Sequence, residues 1–104
     1  HLNAFVEVYA DEARRRAAEV DARLATGTAG RLAGMVIGLK DVLLHEGHRV
    51  QSGSKILEGF TALYSATCVQ RLLSEDAIVI GRQNCDEFAM GASNETSHFG
   101  PVRN

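Results

Sequence analysis

The sequence predicts an α/β protein in which helices cover both faces of a sheet. Short apolar segments alternate with segments of helical period, the pattern of α/β layers. Two of the short segments, Met35–Leu39 and Ile78–Ile80, are apolar throughout, which is typical of strands buried on both faces. At 104 residues and 45% hydrophobic content, the chain suffices for one domain but not for two.

The N-terminal part is predicted to form a strand followed by a helix. Residues 4–9 (AFVEVY) are rich in β-forming residues. We predict that the next helix begins with Asp11 as N-cap and ends in the turn Thr26–Gly30. Its apolar stripe comprises Ala13, Ala17, Val20 and Leu24.

The middle of the chain is predicted to hold the central strand, at Met35–Leu39. Glu46–Lys55 is polar and contains glycine, which indicates a loop, and a short helical turn is expected at 56–58. Helix then alternates with strand once more.

A second amphipathic helix is predicted after Ser65, its expected N-cap, and it leads into a strand at Ile78–Ile80 that ends at Gly81. Asp86–Met90 is predicted to form a further helical turn, whereas 91–104 has no periodicity. The inward residues of the helix are Ala66, Val69, Leu72 and Leu73.

The charge balance gives no general case for binding nucleic acid or an anionic membrane, since the net charge is −2. The basic cluster Arg14–Arg16 has glutamates on both sides. We interpret it as a solvated helix face with the pairs Glu12–Arg16 and Glu19–Arg23, in preference to a phosphate-binding patch.

The cysteines and the hydropathy favour a soluble, cytoplasmic protein. Cys68 and Cys85 form no CxxC motif and are expected to be reduced thiols. No apolar run is long enough to span a bilayer, and residues 1–24 lack the apolar core of a signal peptide.

Two short motifs resemble catalytic patterns but are interpreted as loops. The histidines of His45–His48 (HEGH) are spaced i,i+3, not i,i+4 as in the zinc motif HExxH, so we predict a solvated loop. Ser52–Lys55 fits S-x-x-K, yet it contains glycine, and neither SDN nor KTG follows. No phosphate-binding glycine motif occurs.

Lys40 is the strongest candidate for a catalytic residue. It closes an apolar strand, and alternation places it on the face of Val36 and Gly38, opposite Leu39 and Asp41. Partial desolvation there would lower the pKa of the lysine and suit it to act as a general base. The alternative is a lysine whose stem lies on apolar surface and whose ammonium stays in water. Active sites of α/β folds do lie at the C-terminal ends of strands.

A series of sequence blocks resembles the amidase signature family over nearly the whole chain. The last blocks, DEFAMG and ETSxFGPxxN, most resemble the glutamine-hydrolysing A subunits of tRNA-dependent amidotransferases within that family. In order, the blocks are Gly34–Asp41, Gly53–Leu57, Ala66–Leu73, Ile80–Asn84, Asp86–Gly91, Glu95–Ser97 and Phe99–Pro101.

The resemblance implies an α/β/α fold with a central mixed sheet and a Ser-cisSer-Lys mechanism. One serine attacks an amide, a second serine on a cis peptide relays its proton, and Lys40 is the base. Asp41 would be structural, through bonds to the following loop, or a plain surface residue.

Residues 1–104 would form the N-terminal part of a single, incomplete amidase domain. The Gly/Ser-rich signature that carries both serines and the oxyanion hole is expected beyond Asn104. Four serines of this chain do not occupy the signature positions, namely Ser52, Ser54, Ser93 and Ser97. Phe88, Ala89 and Met90 are expected to line the substrate pocket, with core packing as the alternative for Phe88 and Met90.

The implied activity is hydrolysis of glutamine to supply ammonia for converting Glu-tRNA(Gln) into Gln-tRNA(Gln). B and C subunits would be the partners of a heterotrimer. No cofactor or metal is expected in this chain, and ATP, Mg²⁺ and most tRNA contact would belong to the partner subunit. Two alternatives remain open: a stand-alone amidase for a small or aryl amide, and a non-catalytic truncated fragment.

Overall fold

A computed structural model describes residues 2–103 and confirms the type and order of the main predicted elements. The three strands and two α-helices are β1 (Phe5–Val8), α1 (Ala10–Thr26), β2 (Val36–Lys40), α2 (Thr67–Ser74) and β3 (Ile78–Gln83). Two single 3₁₀ turns lie at Lys55–Leu57 and Glu87–Ala89. The predicted helical turns therefore exist, although each is short.

The strands form a mixed sheet in the order β1-β3-β2, which confirms the α/β fold class. β1 is antiparallel to β3, and β2 is parallel to it. The prediction that Met35–Leu39 is the central strand is wrong within residues 2–103, because β3 lies in the middle and β2 at the edge.

Gly81 explains how β3 accepts a neighbour on each side. The prediction that the strand ends at this glycine is wrong, because the strand continues to Gln83. A Cβ at Gly81 would lie only 2.3 Å from the Glu7 carbonyl oxygen. Glycine in a strand marks such a close approach of backbone as well as a break, and here it admits β1.

Gly81→Ala is therefore expected to destabilise the fold by about 1–3 kcal/mol, since the new methyl group meets backbone that cannot move cheaply. Gly38→Ala is the matched control, because its Cβ would meet only the exposed Gln83 side chain, at 2.9 Å. Urea unfolding of the two variants measures the difference. Equal losses of stability would contradict this account of Gly81.

A buried hydrophobic cluster lies on one face of the sheet. Tyr9, Leu39, Val69 and Val79 form a buried cluster, in which Val69 is the contribution of α2. On the other face, coverage is incomplete within residues 2–103: three strand residues remain exposed beside α1, namely Val8, Val36 and Ile80.

The two predicted helix caps are wrong by one or two residues. The N-caps are Tyr9 and Ala66, and neither side chain caps its helix. Asp11 lies in the first turn of α1, where its charge favours the helix dipole. The Ser65 hydroxyl instead accepts a hydrogen bond from the Glu46 backbone N–H, at 2.9 Å.

The predicted pairs Glu12–Arg16 and Glu19–Arg23 are also wrong. Both arginines bind Oδ1 of Asp76, Arg16 at 2.9 Å and Arg23 at 2.7 Å, and Arg16 also reaches Glu19 at 3.2 Å. The Asp76 side chain is only 2% exposed. A buried carboxylate needs such partners more than a solvated glutamate does, so α1 is tied to the α2–β3 turn. No helix of the described residues has the length and apolarity to cross a membrane.

Candidate active site

Lys40 lies at the C-terminal end of β2, beside Gln83 at the end of the parallel strand β3. The predicted alternation is confirmed: Leu39 and Asp41 are buried, whereas Val36 and Lys40 are exposed. The predicted partial desolvation of Lys40 is wrong within residues 2–103, because the side chain is exposed there. The ammonium makes no hydrogen bond or ion pair to any described residue.

A cavity of about 440 Å³ opens next to Lys40. Its wall combines the end of β2 with the segment that follows β3, including part of residues 91–104, for which the sequence predicted no periodicity. Besides Lys40 it is lined by Cys85, Asp86, Ala89, Gly91, Ala92, Ser93, Asn94 and Val102. The cavity is a concave, partly polar space within reach of a candidate base.

The two cysteines are free thiols, as predicted: Cys68 is exposed and Cys85 is buried. Burial raises the pKa of the Cys85 thiol. A protonated thiol is a poor nucleophile, so Cys85 is better suited to form the wall of the cavity than to react in it. A larger groove of about 610 Å³ beside Cys68 contains none of the predicted site residues.

A buried ion pair fixes the chain next to Lys40. It joins Asp41, the residue directly after Lys40, to Arg82 of β3. Asp41 Oδ1 accepts hydrogen bonds from Arg82 Nε at 2.8 Å and from the Gln51 backbone N–H at 3.3 Å. Arg82 Nη2 donates to the Leu43 carbonyl at 2.6 Å. Both charged side chains are 1% exposed. Asp41 is therefore structural, as expected, and Arg82 is the partner that the sequence alone did not identify.

Asp86 organises the far wall of the cavity. Its carboxylate accepts hydrogen bonds from the Asn94 N–H at 2.8 Å, from the Thr96 N–H at 3.1 Å and from the Thr96 hydroxyl at 2.9 Å. These bonds, that from Asn94 first, hold the pKa of Asp86 below its usual range. A Cβ at Gly91 would lie 2.3 Å from Asp86 Cγ, so only glycine fits there.

The lowered pKa predicts that acid opens this wall. The unfolded carboxyl has a pKa of about 3.9, so the stabilisation is complete above that pH and is lost as the pH falls through the lower folded value. We expect the Asn94 and Thr96 amides to lose protection from hydrogen exchange in that acid range.

In Asp86→Asn one of these two amides should exchange rapidly at every pH, since the side chain keeps one acceptor oxygen and its amide nitrogen must face either the Asn94 or the Thr96 N–H. Asp11→Asn is the control, because the Asp11 side chain is 99% exposed. Unchanged protection in Asp86→Asn would contradict the assigned role.

The predicted pocket residues Phe88, Ala89 and Met90 follow Asp86 in a strained segment. Phe88 has φ 51° and Ala89 φ 59°, a left-handed conformation that costs residues other than glycine about 1–3 kcal/mol each. The Phe88 N–H donates to the Ser52 carbonyl at 2.8 Å, which helps to hold the segment.

Only Ala89 of these three lines the Lys40 cavity in residues 2–103. Phe88 and Met90 are 40% and 80% exposed, so core packing, the alternative for these two residues, is wrong within the described chain. The structure thus brings Ala89 together with Lys40 and leaves Phe88 and Met90 on the surface nearby.

Asn84 is a second organising residue that the sequence did not single out. Its Oδ1 accepts hydrogen bonds from the Ser97 hydroxyl at 2.6 Å and the Cys85 N–H at 2.9 Å, and its Nδ2 donates to the Gly100 carbonyl at 2.8 Å. The C-terminal segment is aperiodic because side-chain bonds of this kind, and not a helix or strand, determine its path. The sequence signal that could have identified Asn84 is its position, since it is a polar residue directly after a buried strand.

The predicted solvated loop at His45–His48 is wrong. His45 is buried and its ring stacks on that of His48, with centroids 3.9 Å apart and planes at 9°. Burial, and next the neighbouring His48, lower the pKa of His45 to about 4. The His48 ring also packs against Tyr9, with centroids 4.6 Å apart, so the loop belongs to a packed cluster.

The mixed α/β sheet agrees with what comparison with known proteins shows. Residues 1–104 match the family model described as Amidase. The chain therefore belongs to the amidase family.

Similarity to individual relatives is more specific than the match to the family model. The chain is 51% identical over 104 residues to the A-type subunit of the glutamyl-tRNA(Gln) amidotransferase of Methanothermobacter thermautotrophicus. The match covers 99% of this chain and 23% of the relative. The chain thus spans about a quarter of the length of that protein.

Solved structures confirm the fold. One described as a vestigial protein complex that reveals the origins of an s-triazine catabolic enzyme has a TM-score of 0.89 and 37% identity, over 99% of this chain and 23% of that one. A bacterial aryl acylamidase of the amidase signature family has a TM-score of 0.85 and 28% identity, over 99% and 22% of the two chains.

Proposed function

We propose that this chain is the N-terminal part of the glutamine-hydrolysing subunit of a tRNA-dependent amidotransferase. The observation that carries the proposal is the 51% identity, over 99% of the chain, to the A-type subunit of a glutamyl-tRNA(Gln) amidotransferase. In this proposal the complete subunit hydrolyses glutamine and releases ammonia for the conversion of Glu-tRNA(Gln) into Gln-tRNA(Gln).

Lys40 is the proposed general base. Its place at the end of a parallel strand, above the cavity that Asp86 and Ala89 help to line, supports this role. The exposure of Lys40 within residues 2–103 is compatible with it, because the proposed nucleophilic and relay serines must approach the ammonium from outside the described chain. These serines then bring the desolvation that a neutral lysine requires.

Ala89 and the exposed Phe88 and Met90 are proposed to face the glutamine side chain in the complete site. The strained backbone of this segment supports a functional rather than a packing role. Held by the Asp86 wall and the Ser52 carbonyl, the segment is pre-organised before substrate arrives.

The proposed partners are B and C subunits, and the proposed setting is the bacterial cytoplasm. ATP and Mg²⁺ are assigned to the partner subunit, together with most of the tRNA contact. The net charge of −2 supports the last assignment, since phosphate-backbone binding requires an excess of basic residues.

A stand-alone amidase acting on a small or aryl amide is the second candidate. The TM-score of 0.85 to an aryl acylamidase supports it, although the identity is lower than to the amidotransferase relative. The two candidates share the proposed base and differ in the substrate pocket. A glutamine site needs charged groups for the α-carboxylate and α-amino group, whereas an aryl-amide site is apolar.

Steady-state assays of the full-length protein with glutamine and with an aryl amide separate the candidates. We expect ammonia release from glutamine, and a higher rate once the B and C subunits are added. Preferential hydrolysis of the aryl amide would favour the stand-alone amidase. Turnover of neither substrate, with the partner subunits present, would favour a non-catalytic chain and contradict both proposals.

A further inference from the structure

Three side chains with metal-binding donor atoms meet beside Tyr9. Glu12 comes from the first turn of α1, and His45 and His48 come from the loop after β2. One donor atom from each of the three lies within 4.8 Å of the other two. None of them lines the Lys40 cavity, so the cluster is separate from the proposed active site.

His48 contacts an acceptor oxygen at each of its ring nitrogens. Its Nδ1 lies 2.9 Å from the Glu46 carbonyl oxygen, which can only accept, so Nδ1 carries a proton. Its Nε2 lies 2.8 Å from Glu12 Oε2. The Glu12 carboxylate can only accept, so a cation, either a proton on Nε2 or a metal ion, must join these two atoms. An Nδ1–H bound to a carbonyl is also the usual orienting contact of a metal-ligating histidine.

His45 supplies a second, independent observation. The residue is 8% exposed, and its buried Nδ1 has no hydrogen-bond partner among residues 2–103. Buried polar nitrogens are nearly always paired, and an exception calls for a cause. A ligand at this cluster would provide one.

We propose that Glu12, His45 and His48 form a binding site for a divalent transition metal of the Zn²⁺ type. Two imidazoles and one carboxylate are a ligand set that such ions accept, with a fourth position left for water. At metal–ligand distances of about 2.0–2.2 Å and tetrahedral angles, donor atoms lie about 3.3–3.6 Å apart, so His48 Nε2 and Glu12 Oε2 must move apart from 2.8 Å to admit the ion.

Binding of one ion by both histidines needs a movement of one side chain. Stacked rings direct their lone pairs in parallel planes, so one histidine must rotate for both to face a single ion. The loop backbone is fixed, since the Gly47 N–H donates to the Ala62 carbonyl and the Ala62 N–H to the His48 carbonyl, each at 2.9 Å. The movement is therefore a change of rotamer of one histidine side chain.

The bound ion would join α1 to the loop that begins just after Lys40 and Asp41. These segments lie far apart in sequence, at Glu12 and His45–His48. A ligand that binds only the folded protein stabilises it by mass action. The site is thus a structural clamp, and it does not depend on which amide the protein hydrolyses.

The test is titration of the metal-free full-length protein with Zn²⁺, followed by calorimetry, and with Co²⁺, followed by its visible absorption. We expect one site whose affinity falls at least about tenfold in His48→Ala and in Glu12→Gln, the range for loss of a ligand or its support. Zn²⁺ should also raise the melting temperature of the unaltered protein and of His98→Ala, an exposed-histidine control.

Glu12→Gln keeps the shape of its side chain and so separates ligand loss from misfolding, which circular dichroism of both variants checks. Absence of a site, or equal affinity in Glu12→Gln and the unaltered protein, would overturn the proposal. So would an equal loss in His98→Ala, which would indicate non-specific histidine binding.

Discussion

Replacing Lys40 by alanine is expected to lower amide hydrolysis by the full-length protein about 10²- to 10⁴-fold, the range for loss of a general base. Folding should be unaffected, because the exposed side chain makes no hydrogen bond or ion pair within residues 2–103 and leaves the β2 backbone unchanged. Activity is measured as ammonia released from glutamine, and folding by urea unfolding.

Two further variants separate a base from a simple positive charge. Lys40→Arg keeps the charge but cannot deprotonate near neutral pH, so it should be as inactive as Lys40→Ala. Lys55→Ala, in the S-x-x-K segment and also exposed, should retain full activity. Substantial turnover in Lys40→Ala or Lys40→Arg would refute the role assigned to Lys40.

Arg82→Ala is expected to cost about 3–5 kcal/mol of unfolding free energy, since it leaves the Asp41 carboxylate buried without its charge partner. Both side chains are 1% exposed, so water does not replace the lost contact. The Leu43 carbonyl loses its 2.6 Å bond at the same time. Urea unfolding measures the loss.

A double-mutant cycle with Asp41→Ala isolates the pair itself. The double variant should be much less destabilised than the sum of the two single variants, because neither buried charge is then left alone. The exposed pair Arg14–Asp11 is the control, with side chains 79% and 99% exposed, and should show a coupling of about 0–1 kcal/mol. Additive losses at Asp41 and Arg82 would contradict a direct interaction.

The Asp41–Arg82 pair also concerns function, because Asp41 adjoins Lys40. The pair fixes the chain where it leaves β2 and enters the loop held at Leu43. A conservative Arg82→Lys variant keeps a charge but not the forked geometry. We therefore expect it to lose activity beyond its loss of stability, through displacement of Lys40.

Local pattern was enough to identify the elements that carry the site. The apolar runs that became β2 and β3, and the helical stripes that became α1 and α2, follow from periodicity, which each short segment contains by itself. The alternation along β2 likewise placed Lys40 and Asp41 on opposite faces, as observed. The resemblance of the ordered blocks pointed to the amidase family, to which the chain belongs.

The partners of these residues were decided by tertiary structure. Arg82 and Asp41 stand 41 positions apart, and no local period relates a buried arginine to a carboxylate at the end of another strand. Likewise, β3 became the central strand because Gly81 admits β1. From the sequence alone, a glycine at this position predicts the end of the strand.

Contacts between residues distant in sequence also explain the segment where sequence and structure disagree most. The polar residues of His45–His48 predict a solvated loop, yet Tyr9 and Glu12 from the N-terminal segment pack and bond against it. What the sequence determined by itself was the periodicity of each element and the face on which Lys40 lies. Which distant charges meet depends on the tertiary structure, because burial and pairing involve neighbours that the local sequence does not contain.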